Sequence, residues 1–212
     1  MFHRPKTAYK FKPPLFFDFL TPFYDLGNPF GLRKALHRRV FKHVKLSDRL
    51  KILDVGCGTG DDLLYLAAHY PKSKLYGLDA DTSILQIARK KSQKAGAAIH
   101  FKISLAEKLP FSGNSFDLVW SSLMLHHLPT KYKKRALKEI YRVLKPRGRL
   151  ILIDFVKPKN PVFTTLVKLQ NLLEHTSDNY QGKIPIFVRQ AGFKQLNRKH
   201  LGLNVGLIQA EK

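Results

Sequence analysis

Hydrophobic and polar positions alternate in blocks along this chain, and the period of the blocks switches repeatedly between that of a strand and that of a helix. Ile52, Leu53 and Val55 form a short apolar run that predicts a buried strand. The run breaks into glycines at alternate positions, Gly56, Gly58 and Gly60. Asp61 and Asp62 then open a helix predicted over Asp61–Tyr70, with Leu63, Leu64, Ala67 and Ala68 inward. Lys74–Asp79 reads as a second strand. Asp81 or Thr82 can cap a helix reaching Ala95, with Ile84, Leu85, Ile87 and Ala88 inward. Ala98–Ile103 and Ser115–Ser121 read as the third and fourth strands. Lys131–Leu144 reads as a helix stopped by Pro146 and Gly148, and Arg149–Phe155 as the fifth strand.

The tail keeps a different rhythm. Pro161–Glu174 carries a helical stripe through Val162, Phe163, Leu166 and Val167. Ile184–Ala191 predicts a further helix ended by Gly192, and Phe193–His200 and Leu203–Ala210 predict two strands joined tightly at Leu201-Gly202. Repeated strand–helix units with right-handed crossovers give a doubly wound, mostly parallel, seven-stranded α/β sheet; the closing hairpin makes its last strand antiparallel. The expected organisation is a single domain: a basic helical cap (1–48), a ligand-binding core (49–156), a lid and helix (157–192) and a C-terminal hairpin (193–212).

Composition changes this picture in two ways. Lys and Arg number 38 against 15 Asp and Glu, a formal charge of +23. Such an excess favours anionic partners, and Arg33–Lys45 concentrates it: Leu32, Leu36, Val40 and Val44 recur every four residues while Arg33, Lys34, Arg38, Arg39, Lys42 and Lys45 fill the other faces. That pattern predicts an amphipathic helix docked on the core, whose solvated basic face is available to anionic lipid or nucleic acid. Lys131–Arg135 adds a second basic cluster. The single cysteine, Cys57, excludes a disulfide framework, and no apolar run is long enough to span a bilayer, so a protein of the reducing cytoplasm, at most peripheral to a membrane, is expected. Nothing in the sequence implies a metal cluster or an obligate protein partner.

The strand–glycines–helix passage is the start of a nucleotide-binding sheet, in which a ligand lies against bare backbone. Asp79, ending the second strand, is placed to accept both hydroxyls of a ribose. The glycines are spaced G-x-G-x-G rather than G-x-G-x-x-G, Asp54 precedes them at the strand end, and the chain closes on a hairpin instead of a second mononucleotide-binding half. A carboxylate at Asp54 suits a ligand with an ammonium group and opposes a pyrophosphate.

Four motifs in order carry a resemblance over nearly the whole chain: L-D-V-G-C-G-T-G (53–60), G-L-D-A-D (77–81), L-P-F-x-x-x-S-F-D-L-V (109–119) and L-K-E-I-Y-R-V-L-K-P-R-G (137–148). With them the chain resembles the class I S-adenosylmethionine-dependent methyltransferases, especially the ubiquinone/menaquinone biosynthesis branch. The resemblance implies S-adenosyl-L-methionine as methyl donor, S-adenosyl-L-homocysteine as product and a Rossmann-like sheet. It implies that Gly56, Cys57, Gly58 and Gly60 border the methionine and ribose parts, that Asp54 orients the amino group, and that Asp79 holds the ribose with Ala80 beside the adenine. Leu105 and Ala106 fall near the adenine amine, Ser121 below the sulfonium, and Tyr24, in P-F-Y-D, over the donor. Two departures stand out: Leu105 replaces the usual aspartate of the adenine-side loop, and Pro146-Arg147-Gly148 replaces a Pro-Gly-Gly turn.

The acceptor half is less explicit. The donor's methyl carbon is already activated, so the protein mainly aligns the reactants and excludes water. A base is needed only for an acceptor with a tightly held proton. His126 and His127 follow the fourth strand, at the edge where ligands bind in such sheets, and are the candidate catalytic residues. His175, Asp178 and Asn179, after the lid helix, could line the acceptor pocket but read first as solvated loop, and Cys57 reads as a packing residue. The leading expectation is methyl transfer to a small-molecule or lipid- and quinone-like acceptor. The alternatives are an RNA methyltransferase, motivated by the charge, and a non-catalytic donor-binding regulator, motivated by Leu105.

Overall fold

The computed structural model describes residues 32–157, 175–202 and 204–212. Its elements are α1 (Leu32–Phe41), β1 (Lys51–Val55), α2 (Asp61–His69), β2 (Lys74–Asp79), α3 (Thr82–Lys94), β3 (Ile99–Ile103), β4 (Phe116–Ser122), α4 (Thr130–Val143), β5 (Leu144–Phe155), α5 (Ser177–Tyr180), α6 (Ile184–Gln190), β6 (Lys194–Gly202) and β7 (Val205–Glu211). The seven strands follow the order β3-β2-β1-β4-β5-β7-β6. The chain clusters into two compact units, divided between Leu105 and Ala106.

In the first unit, β1 pairs with β2 and β2 with β3, all parallel. Ile52, Leu53 and Val55 are fully buried, as a strand covered on both faces requires. Asp81 caps α3, its Oδ1 accepting from the amides of Ser83 at 2.8 Å and Ile84 at 3.4 Å, so the helix starts where the sequence predicts. Two details differ from expectation. The buried stripe of α2 is Asp62, Leu63 and Leu66, with Ala68 exposed. The rotation follows from a partner that periodicity does not show: His37 of α1 bonds Asp62 at 2.5 Å, and Phe41 stacks on Tyr65. The basic helix also ends earlier, at Phe41, leaving Lys42 and Lys45 on the turn and extended chain beyond it; buried Val44 closes the turn by donating to the Val40 carbonyl at 3.0 Å.

In the second unit, β4 and β5 are parallel, and β7 lies antiparallel between β5 and β6. The strand predicted from Arg149 begins pairing at Leu144, and Pro146-Arg147-Gly148 forms an irregularity in the register between Phe116 and Leu118. β6 continues through Gly202, which pairs with Val205, so the reversal falls two residues later than the glycine predicted. The stripe predicted over Pro161–Glu174 and the Tyr24 segment lie outside the described residues. Lys133, placed by sequence in a solvated basic cluster, is wholly buried, as are Asp178 and Asn179, which read as loop.

Candidate active site

The glycine loop of the first unit is built from backbone. Gly56, Gly58 and Gly60 all have positive φ (75°, 53° and 83°), so the turn needs residues without a Cβ. Its amides are already committed. Those of Gly56 and Cys57 donate to the Leu78 carbonyl at 2.8 and 3.0 Å, that of Gly60 to the Cys57 carbonyl at 2.9 Å, and that of Gly58 to Asp79 Oδ2 at 2.9 Å. A loop that uses these four N–H groups internally is not a phosphate cradle, which works by pointing amides at the anion. Over Gly58 nothing lies within 4 Å of where a Cβ would stand, so a ligand can approach the bare backbone there.

The charges around the loop agree. Asp54 is buried at the end of β1, and Asp79 ends β2 with its Oδ1 accepting from the Asp81 amide at 3.0 Å. Burial raises the Asp79 carboxyl above its usual range, against those backbone bonds. The same surroundings push the Cys57 thiol well up: burial first, then the negative charges of Asp54 and Asp79. Cys57 is therefore a packing residue and not a thiolate. Gly77 admits this geometry, because a Cβ there would stand 2.7 Å from Leu63 and 2.8 Å from Phe101. Lys91 of α3 braces the loop from outside, donating to Asp61 at 2.6 Å and Thr59 at 3.1 Å. Committed amides, an open face over Gly58 and two carboxylates fit a cationic nucleoside bearing an ammonium group and a ribose, and do not fit a pyrophosphate.

The chain belongs to the class I S-adenosylmethionine-dependent methyltransferases, in the ubiquinone/menaquinone biosynthesis branch. The methyltransferase domain family matches residues 52–148. The chain is 30% identical to a demethylmenaquinone methyltransferase of Lactobacillus johnsonii over 91% of this chain and 88% of that protein. A demethylmenaquinone methyltransferase of Thermus thermophilus is 35% identical over 69% and 67%. A ubiquinone/menaquinone biosynthesis C-methyltransferase of Geotalea daltonii is 32% identical over 71% of this chain and 66% of its own length. Among solved structures, a SAM-dependent methyltransferase from Aquifex aeolicus superposes with a TM-score of 0.73 at 24% identity, covering 92% of this chain and 98% of that one, a likeness of fold. The methyl donor of this methyltransferase is S-adenosylmethionine.

The remaining candidates lie in the second unit or at its border. Leu105, at the end of the first unit, is half-buried; Ala106 is buried in a turn, and Ser121 is wholly buried in β4. His126 and His127 form a single 3-10 turn after β4, their ring centroids 4.0 Å apart. His126 is 4% exposed, and its Nδ1 lies 2.7 Å from Asp154 Oδ1 near the end of β5. The His126 amide donates to Asp154 Oδ2 at 3.1 Å and the Phe155 amide to Oδ1 at 2.7 Å. Burial works to raise the Asp154 carboxyl, but the adjacent His126 and these bonds outweigh it and hold the carboxyl below its usual range. His127 is driven the other way, to about 3, by burial and then by His126.

A second ionic group joins α4 to α5. Lys133 of α4 donates to the His175 carbonyl and sits 3.4 Å from Asp178, which also accepts from the Thr130 hydroxyl at 2.7 Å. Burial lowers the Lys133 pKa, opposed by Asp178. Asp154 and Lys133 did not emerge as site residues from the sequence, and Asp178 emerged only as the less favoured reading of a loop residue. Asp154 had a signal: like Asp54 and Asp79, it is an acid near the carboxyl end of a buried strand. Lys133 had none, since it sits in a stretch that looks solvated; Asp178 had only its position after the predicted lid helix. Among the described residues no cluster could hold a metal ion.

Proposed function

We propose that the chain transfers a methyl group to a quinone-like, hydroxylated ring acceptor, with His126 as general base. The observation that carries the base assignment is the buried His126–Asp154 pair. The printed names of the relatives, ubiquinone/menaquinone and demethylmenaquinone methyltransferases, support the acceptor class. When bound, the donor supplies a methyl carbon activated by the sulfonium. Asp79 and the glycine loop hold the donor's ribose and methionine portions, Asp54 orients the ammonium, and Ala80 and Leu105 line its remaining surface.

The anionic Asp154 accepts from Nδ1, which places the proton of neutral His126 on Nδ1 and the ring's basic lone pair on Nε2. His126 takes the acceptor's hydroxyl proton at Nε2, and the oxygen's electron pair enriches the ring carbon, which would take the methyl as the methyl's bond to sulfur breaks; the hydrogen on that carbon then leaves as a proton and restores the ring. The resulting imidazolium is held by Asp154. His127, at about 3, is too weak a base for this step and stays neutral beside it. Exposed Arg38, Arg39 and Lys42 support peripheral docking on an anionic membrane, where a lipid-like acceptor would reside.

The test is transfer of a labelled methyl group to a lipid extract, with total RNA as the second arm. Labelled quinone-like lipid is expected from the wild type and not from His126→Ala. Label in RNA alone would overturn the acceptor class, and an unaffected His126→Ala would overturn the base. Cosedimentation with anionic but not neutral vesicles is expected, and no difference between them removes the docking.

A further inference from the structure

Three consecutive residues of α5 are buried, and each reaches a different neighbour. Asp178 holds α4 through the Thr130 hydroxyl and the Lys133 ammonium. Tyr180 lays its ring along that of Phe155, the centroids 6.0 Å apart and the planes 25° off parallel. Asn179, 1% exposed, donates from Nδ2 to the Phe155 carbonyl at 3.3 Å. A turn of four residues is too short to hold itself, so these contacts fix its place.

Phe155 is where α5 meets the proposed base. β4 pairs with β5 only as far as Ser122 and Ile153, and the Leu123 amide gives the last bond, to the Ile153 carbonyl at 2.8 Å. Two residues on, the backbone of Phe155 faces the same side, past the end of that ladder. Its amide is taken by Asp154 Oδ1 at 2.7 Å, the oxygen that also meets His126 Nδ1, and its carbonyl is taken by Asn179. Its ring lies 4.6 Å from the His126 ring. Asn179, Phe155, Asp154 and His126 thus form one line of contacts. Asn179 Oδ1 is buried with no partner among the described residues, a penalty that an apolar side chain would not carry. What the amide brings to this position is its donor.

We infer that Asn179 is a positioning residue for the methyl transfer. By fixing Phe155 it holds Asp154 Oδ1 on His126 Nδ1, and so keeps Nε2 as the basic nitrogen. The inference rests on the reading of His126 as base and adds the residue that keeps it aligned. Asn179 itself takes no part in the proton transfer.

The test reads the full chain saturated with S-adenosylhomocysteine. Long-range nitrogen–proton NMR spectra, assigned with His126→Gln, should show the wild-type His126 ring protonated on Nδ1 alone. Asn179→Leu, which keeps the bulk and loses the donor, should show a mixture of Nδ1 and Nε2 forms. With S-adenosylmethionine in place of the product, it should lower the saturating rate of labelled-methyl transfer to the lipid extract about tenfold, with donor affinity unchanged. Asn179→Gln, which keeps an amide donor, should recover part of both. A folded Asn179→Leu with the wild-type tautomer overturns the inference, and so does a loss of rate that only follows a fall in melting temperature. If Asn179→Leu does not fold, the wild type decides: slow exchange of the Asn179 side-chain amide is expected, and exchange as fast as that of exposed amides overturns the inference. The tautomer is read without an acceptor. An unaffected rate in His126→Ala marks failure of the base reading, whereas a rate lost in His126→Ala and kept in Asn179→Leu marks failure of the positioning role alone.

Discussion

The glycine loop of the first unit and the His126 cluster of the second are both polar centres in buried surroundings, but they are made differently. The loop is a contiguous run whose amides are held by the end of the next strand, at the Leu78 carbonyl and Asp79, and by the Cys57 carbonyl, leaving backbone as its ligand surface. The cluster takes His126, Lys133, Asp154 and Asp178 from four separate elements and joins them as two side-chain pairs, His126–Asp154 and Lys133–Asp178. A backbone site tolerates change at any residue that preserves the turn, whereas a side-chain network depends on every member, because removing one leaves another buried and unsatisfied. The first arrangement suits a fixed cofactor and the second an acceptor that differs between relatives.

The largest effect expected in this comparison is on the loop. Asp79→Ala removes the carboxylate that organises Gly58 and that we propose receives the ribose. With about 1.5–3 kcal/mol for each hydrogen bond to a charged group, donor affinity measured by calorimetry should fall on the order of 100-fold or more. The counterpart in the cluster is His126→Ala, which should lower kcat on a hydroxylated acceptor by about 100-fold or more with donor affinity unchanged. If both variants lose donor binding equally, the division of labour between the two regions is wrong.

The next effects are on stability. Asp178→Ala strands the buried Lys133 ammonium and should cost about 3 kcal/mol in urea unfolding, as breaking a buried pair does. Acid should act through His127. Its folded pKa, about 3, lies below the ordinary 6.5, so the unfolded chain binds this proton first. Stability should therefore decline as pH falls from about 6.5 towards about 3. His127→Gln should flatten that decline in urea midpoints taken between pH 7 and pH 4. The smallest effect belongs to neither region and serves as a control. Arg147 sits at φ 62°, a left-handed conformation that costs a side chain roughly 1 kcal/mol. Arg147→Gly should raise the melting temperature slightly and change neither donor binding nor kcat.

The residues 51–60 dictated strand, turn and helix start, because alternate glycines after a β-branched run leave few other backbones. The parallel core, the Asp81 cap and the antiparallel last strand were legible for the same reason: local preference and hydrophobic period agree there. The stripe of α2 was misjudged because Asp62 is buried through His37, a residue of another helix. Lys133 and Asp178 read as solvated because period and charge describe a residue's own segment and not what covers it.

What the sequence determined by itself is therefore the glycine turn and one strand-ending acid, the parts we propose hold the donor, both written in local order. What only the tertiary structure decided is the side-chain cluster. The pairing of His126 with Asp154, the buried Lys133–Asp178 contact and the Asn179 bond to Phe155 all depend on strand register and on helices returning to the sheet. These are long-range outcomes of packing. The same side chains in the same order would carry no such chemistry if a strand slipped by one residue and turned its faces over.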